Sequence, residues 1–166
     1  MKRIFCLSVL MMLLALPVAS QGITVFGGVP FTGDLELFAK KMLEKGFEYY
    51  EDDGEEVFIG KYLGDDVEVF MRVNRNTGKL ILVSAIIINK DFTEQTAVKK
   101  VKEIAGKLAQ MYKIQNWSIK DLGGQYKASV YSKDRSKEYK IGVQRTFNLD
   151  LGKYLVATSF ALDYKY

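Results

Sequence analysis

A chain of 166 residues with 48% hydrophobic residues has the size and composition of one globular domain able to bury a real core. Its 24 Lys and Arg against 20 Asp and Glu leave a formal charge of +4, which is no basic footprint for nucleic acid. Histidine is absent and cysteine occurs once, at Cys6, which removes the commonest metal ligand, the commonest general base and any internal disulfide. The composition therefore points to no metal and no cofactor.

Lys2 and Arg3 precede an apolar stretch from Ile4 to Leu16 that is broken only by Ser8, and Pro17-Val18-Ala19-Ser20 then offers small residues for cleavage. This pattern predicts a secretory signal peptide over residues 1–20, too short to cross a bilayer as a helix. Cleavage after Ser20 leaves one α+β domain over 21–166, free of cysteine as well as histidine, in the periplasm or outside the cell, with no stable membrane span. Removing Lys2 and Arg3 lowers the formal charge to +2.

Downstream, Phe31-Thr32 introduces a predicted helix capped by Thr32, with Asp34 and Glu36 in its first turn and Gly46 as a left-handed end. Leu35, Phe38, Ala39, Met42 and Leu43 form its apolar stripe. Four strand-like runs follow at 47–50, 57–63, 67–73 and 79–88. A second helix starts after Asp91 or Thr93 and runs to about Tyr112, with Ala97, Val98, Val101, Ile104, Ala105, Leu108 and Tyr112 on one side. Lysines 99, 100, 102 and 107 fall mostly on the other, where they read as a solvated face. Four more strands are expected at 116–121, 125–132, 138–147 and 154–164. A Phe-Thr pair precedes each helix, so the pattern reads as a helix-plus-four-strand unit used twice, over about 24–89 and 90–166.

Directly opposed residues of an antiparallel pair share a face, which allows hairpin registers to be tested for consistency. A Gly123-Gly124 turn pairs Trp117 with Val130 and Ile119 with Ala128. It puts Trp117, Ile119, Tyr126, Ala128 and Val130 on one face, and Ser118, Lys120, Lys127, Ser129 and Tyr131 on the other. A Gly64-Asp65-Asp66 loop would oppose Ile59 with Met71 on the buried side and Gly60 with Phe70 on the other. The expected architecture is an antiparallel sheet with both helices on one face and the other face partly open. On that open face the registers place Phe58, Tyr62, Phe70, Arg72, Lys127 and Tyr131, an aromatic and basic set suited to binding a partner.

The run Phe26-Gly27-Gly28-Val29-Pro30-Phe31-Thr32-Gly33-Asp34, the helix ending in Lys45-Gly46-Phe47, and Phe58-Ile59-Gly60-Lys61-Tyr62 before the Gly64 turn resemble small exported proteins of Bacteroidetes. The tandem layout is similar to the beta-lactamase inhibitor protein fold, a resemblance that implies binding through an open sheet face. The chain lacks the disulfides of those inhibitors, so none of their contact residues carries over.

Catalytic motifs are weak by comparison. Gly27-Gly28 lacks a Walker lysine and reads as a turn. The acidic run Glu51-Asp52-Asp53-Gly54-Glu55-Glu56 lacks the spacing of a calcium loop, and Asp53-Gly54 suits a hairpin. Ser132-Lys133 and Ser136-Lys137 lie in a polar loop. The sequence thus predicts no catalytic residues and an exported, non-enzymatic module that binds a protein or glycan through its open face or hairpin loops. Two alternatives are a carboxylate-dependent hydrolase and a small outer-membrane β-barrel, the latter suggested by the alternation from Tyr154 to Tyr166.

Overall fold

The computed structural model describes residues 23–52, 55–132, 135 and 137–163. The expected signal peptide, Cys6 and the Asp53-Gly54 turn lie outside these residues, as do Lys133, Asp134, Ser136 and the last three positions. The fold is α+β: two helices and a mostly antiparallel sheet.

The described chain opens with a hairpin that the sequence reading did not separate into strands, β1 (Ile23–Val25) and β2 (Val29–Phe31). Its turn is Phe26-Gly27-Gly28, all at positive φ, so the glycine pair serves backbone geometry. The Phe26 ring is fully buried and packs edge-on against Tyr62, Phe38 and Phe160.

Helix α1 (Leu35–Glu44) follows, with Asp34 rather than Thr32 as its cap: the Asp34 carboxylate accepts from the Leu37 N–H at 2.9 Å. Thr32 instead accepts from the Asp34 N–H through its hydroxyl. Gly46, at φ +83°, ends the helix as expected, with Gly46 N–H bonded to Leu43 and Phe47 N–H to Met42 in a Schellman arrangement. Phe38 and Met42 are buried and Leu35 and Ala39 pack beside them, whereas Leu43 is exposed.

Strands β3 (Glu48–Asp52), β4 (Glu55–Tyr62), β5 (Asp65–Val73) and β6 (Leu80–Ile87) come next. Helix α2 (Glu94–Tyr112) is capped by Thr93, whose hydroxyl accepts from the Thr96 N–H, and it ends on Lys113 in a left-handed conformation. The chain closes with β7 (Ser118–Lys120), a single 3-10 turn at Asp121–Gly123, β8 (Gln125–Tyr131), β9 (Glu138–Asn148) and β10 (Lys153–Asp163).

Strand order in the eight-stranded sheet is β3-β4-β5-β6-β10-β9-β8-β7, each neighbouring pair antiparallel. Following the pairings across the sheet, Phe58, Val69, Ala85, Thr158, Val143 and Tyr126 lie in one row and point the same way. This row belongs to the core. The same cluster holds Phe38 and Met42 of α1, Ala97, Val101, Ile104 and Leu108 of α2, and Ile23 to Phe31 of the first hairpin. Helix α2 contacts β8, β9 and β10, while α1 contacts β2 and β3.

Registers explain which side chains reach the core. The β4-β5 turn is the two-residue Leu63-Gly64, both at positive φ, rather than a three-residue loop. Phe58 therefore faces Val69, and Gly60 faces Val67 instead of Phe70. This register differs from the expected one by an odd number of residues, so every β4 side chain changes face. Asp65 fixes the turn. Its buried carboxylate binds Lys100 at 2.7 Å and also pairs with Lys90, while Lys107 donates to the Leu63 carbonyl at 2.9 Å. Lys100 and Lys107 thus tie α2 to this turn, a correction to their reading as a solvated face.

The β7-β8 pairing, Ser118 to Lys127 and Ile119 to Tyr126, is displaced by an even step from the expected one. The predicted faces of that hairpin consequently survive. The displacement comes from the 3-10 turn, which adds residues to the connection; Asp121, Leu122 and Gly123 are all at positive φ.

Candidate functional site

The sheet face opposite the core row carries Phe70, Ser84, Ser159, Gly142 and Lys127 at successive register positions, with Arg72 two residues along β5 from Phe70. Of the six residues expected on an open face, Phe70 and Arg72 on β5 and Lys127 and Tyr131 on β8 are on this side. Phe58 and Tyr62 are not. They are only 1% and 5% exposed and lie in the core, a direct consequence of the odd register step at Leu63-Gly64. Tyr62 packs against Phe26, and burial pushes its hydroxyl pKa far up. Gly60, expected opposite Phe70, is covered by the Phe47 ring.

Over β7 to β10 this face is hollowed into a groove of about 570 Å³. Its floor is made of small residues: Gly142 on β9, with Ser159 and Ala161 on β10. A Cβ built on Gly142 would lie 2.8 Å from the Ser159 hydroxyl, so the glycine is needed to keep this floor low. Asn116, Ser118, Lys127, Ser129 and Lys140 supply the polar lining. Period-2 alternation places these groups together, because Ser118 pairs with Lys127 and Ser129 with Lys140 on one face of three neighbouring strands. The groove offers cationic and hydroxyl donors above a small-residue floor, with Tyr131 on the same face of β8.

Lys127 was accessible to sequence reasoning through the Gly123-Gly124 hairpin. The pairing of Ser159 with Gly142 was not, because it joins β9 to β10 in a register that local pattern leaves open.

No family model, curated protein or solved structure matches this chain.

Other polar clusters serve the fold. Burial raises the Asp65 pKa, but hydrogen bonds from Lys100 and Lys90 outweigh it and hold the carboxyl below its ordinary value. Burial likewise lowers Lys100, yet its bonds to Asp65 and Glu103 leave it raised. The Arg145 guanidinium bonds Glu94 at 2.9 Å, meets Asp121 at 3.2 Å and lies over the Tyr154 ring. Among the described residues, no group of three or more His, Cys, Asp and Glu is placed to hold a metal ion. Nor, among them, is any helix long and apolar enough to cross a membrane. The acidic hairpin pairs up to Asp52 and Glu55.

Proposed function

We propose that this chain is an exported, non-enzymatic binding module that takes its ligand, a protein or glycan, on the open sheet face. The observation that carries the reading is the groove over β7 to β10. Lys127, Lys140, Ser118, Ser129 and Asn116 converge there above Gly142 and Ala161. Such a lining matches an anionic, hydroxyl-rich ligand, and we infer an acidic glycan. The Lys127 ammonium pairs with its carboxylates and the serine hydroxyls with its ring hydroxyls.

The arrangement of the chain supports the reading as two helix-plus-four-strand units. The strand order runs from β3 to β6 and then from β10 back to β7, so the last strands of the two sets lie side by side. Membership of both helices in one core with the Phe58-Val69-Ala85 row supports their placement on a single face, leaving the groove side to the ligand. The resemblance to the beta-lactamase inhibitor protein fold is proposed on the same grounds. The leader pattern of residues 1–20 supports export.

Titration of the protein with acidic and neutral oligosaccharides, followed by amide chemical shifts, tests the assignment. Acidic sugars should move Lys127, Gly142 and Ser159 selectively, and Lys127→Ala should weaken binding about tenfold, the worth of one hydrogen bond to a charged group. Shifts confined to residues outside the groove, or equal response to neutral sugars, would overturn the proposal.

A further inference from the structure

Strand β6 reads Leu80-Ile81-Leu82-Val83-Ser84-Ala85-Ile86-Ile87, with Ser84 its one polar side chain. A strand with one wet face alternates apolar and polar residues, whereas a near-continuous apolar run belongs to a strand covered on both sides. Val83, Ala85 and Ile87 fill the core, and Leu82 and Ile86 lie on the opposite face. There they join Ile59 on β4 and Phe70 on β5 in an apolar band. The core cluster takes in both helices, the first hairpin and the inward row of the sheet, and these four side chains stand outside it. A contiguous band across three strands is unlike the scatter of single apolar residues found on any surface.

The two halves of this face differ in bulk and in charge. Ile59, Phe70, Leu82 and Ile86, with Tyr50 on β3 opposite Val57, raise the half made by β3 to β6. Gly142, Ala157, Ser159 and Ala161 lower the half made by β7 to β10, which holds the groove. On the first half Glu48, Asp66 and Glu68 stand against Lys61 and Arg72, and register adds acidic positions at Asp52 and Glu55. On the second, Lys120, Lys127 and Lys140 stand against Glu138, and register adds Asp163. Lys153, at the start of β10, is held by Asp91. The raised half is therefore acidic and the hollow half basic.

We propose that this face is closed by a second copy of the chain, the two sheets packing face to face about a two-fold axis that runs along the β6-β10 boundary. Such an axis lays β6 on the partner's β10, β5 on its β9, β4 on its β8 and β3 on its β7. The register rows then bring Phe70 over the partner's Gly142, Leu82 over the partner's Ala161 and Ile86 over the partner's Ala157. Bulk meets hollow, and symmetry makes each contact twice. Along the row of Ile86, Glu48 comes over the partner's Lys120. Arg72 falls over the partner's Lys140 and has the partner's Glu138 two residues further along β9. Facing sheets pack in this aligned way, with strand directions about 30° apart. Eight strands about 4.8 Å apart and roughly six residues long span on the order of 800 Å², about what each partner buries in a stable interface. Assembly depends on the shape and charge of the face and not on which ligand the groove takes. It closes the groove, so a second copy and a ligand exclude each other.

Sedimentation equilibrium of the full chain, with no sugar present, tests this. A monomer-dimer equilibrium with a Kd of about 1 µM or tighter is expected. Phe70→Ala removes the inserted ring from both copies, and Ala161→Trp builds up the floor that receives the partner. Each should weaken the dimer about tenfold or more. Glu48→Lys and Lys120→Glu should each weaken it severalfold, and the two together should restore it, because the exchanged charges again meet their opposites. A monomer at all concentrations up to about 100 µM would overturn the proposal. So would a charge exchange that fails to recover the lost affinity, or a dimer indifferent to Phe70→Ala and Ala161→Trp, as one held by residues 1–22 or by the hairpin tips would be. A monomer leaves the glycan reading of the groove standing, and a groove indifferent to acidic sugars leaves the dimer standing. Far-UV circular dichroism checks that every variant is folded.

Discussion

At Gly60 an added methyl group would lie 2.4 Å from the Phe47 ring, which follows directly from the Schellman end of α1 and cannot retreat freely. Gly60→Ala should therefore destabilise the fold by about 2 kcal/mol through overpacking. Urea denaturation would measure this, and Phe47→Leu in the same chain should restore part of the loss. Asp65 carries a second residue-level consequence. Its folded pKa is depressed, so its contribution to stability is present above the ordinary carboxylate value of 3.8 and is lost as pH falls through the folded value. Asp65→Asn should cost about 2 kcal/mol near neutrality by leaving the largely buried Lys100 with Glu103 as its one carboxylate partner, and should flatten the loss of stability below about pH 4. Thermal melts of both proteins from neutral to acid pH would check this. Phe58 and Tyr62 belong to the same scale: their chemistry is that of a binding aromatic, and burial makes them core residues.

Both helices follow their sequence signals closely because amphipathic spacing and caps are local. Thr93, Asp34 and Gly46 act within a few residues of the groups they satisfy. Helix α2 ends less favourably, with Lys113 at φ +54° where glycine is the usual choice. Lys113→Gly should raise stability by about 0.5–1 kcal/mol, a small upward shift of the melting temperature visible in a thermal scan. Strand positions were legible from alternation, but their registers were not. At Leu63-Gly64 an odd step exchanged the two faces of β4, whereas at Asp121–Gly123 an even step preserved those of β7 and β8. The difference rests on turn length, which α2 helps set through Lys100 and Lys107 in the first case. The opening hairpin β1-β2 escaped notice because three-residue strands around Phe26-Gly27-Gly28 carry almost no periodicity.

Across the molecule, β6 and β10 are the central neighbours and β3 and β7 the edges. Amide exchange should be slowest at Val83, Ala85 and Phe160 and fastest over Ser118–Lys120; a slow β7 would contradict this ordering. The single core spans both halves of the chain, so a fragment ending after β6 should remain unfolded by circular dichroism, having lost β10 from its edge and α2 from its core. Composition, alternation and capping determined the α+β class, both helices and the eight strand segments of the large sheet, because each depends on residues close along the chain. Only the tertiary structure decided that β6 meets β10, that Gly142 and Ser159 make a groove floor beside Lys127, and that Phe58 and Tyr62 face inward. Those features depend on pairings between distant strands, and a one-residue change in register is nearly invisible in local sequence yet reverses a whole face.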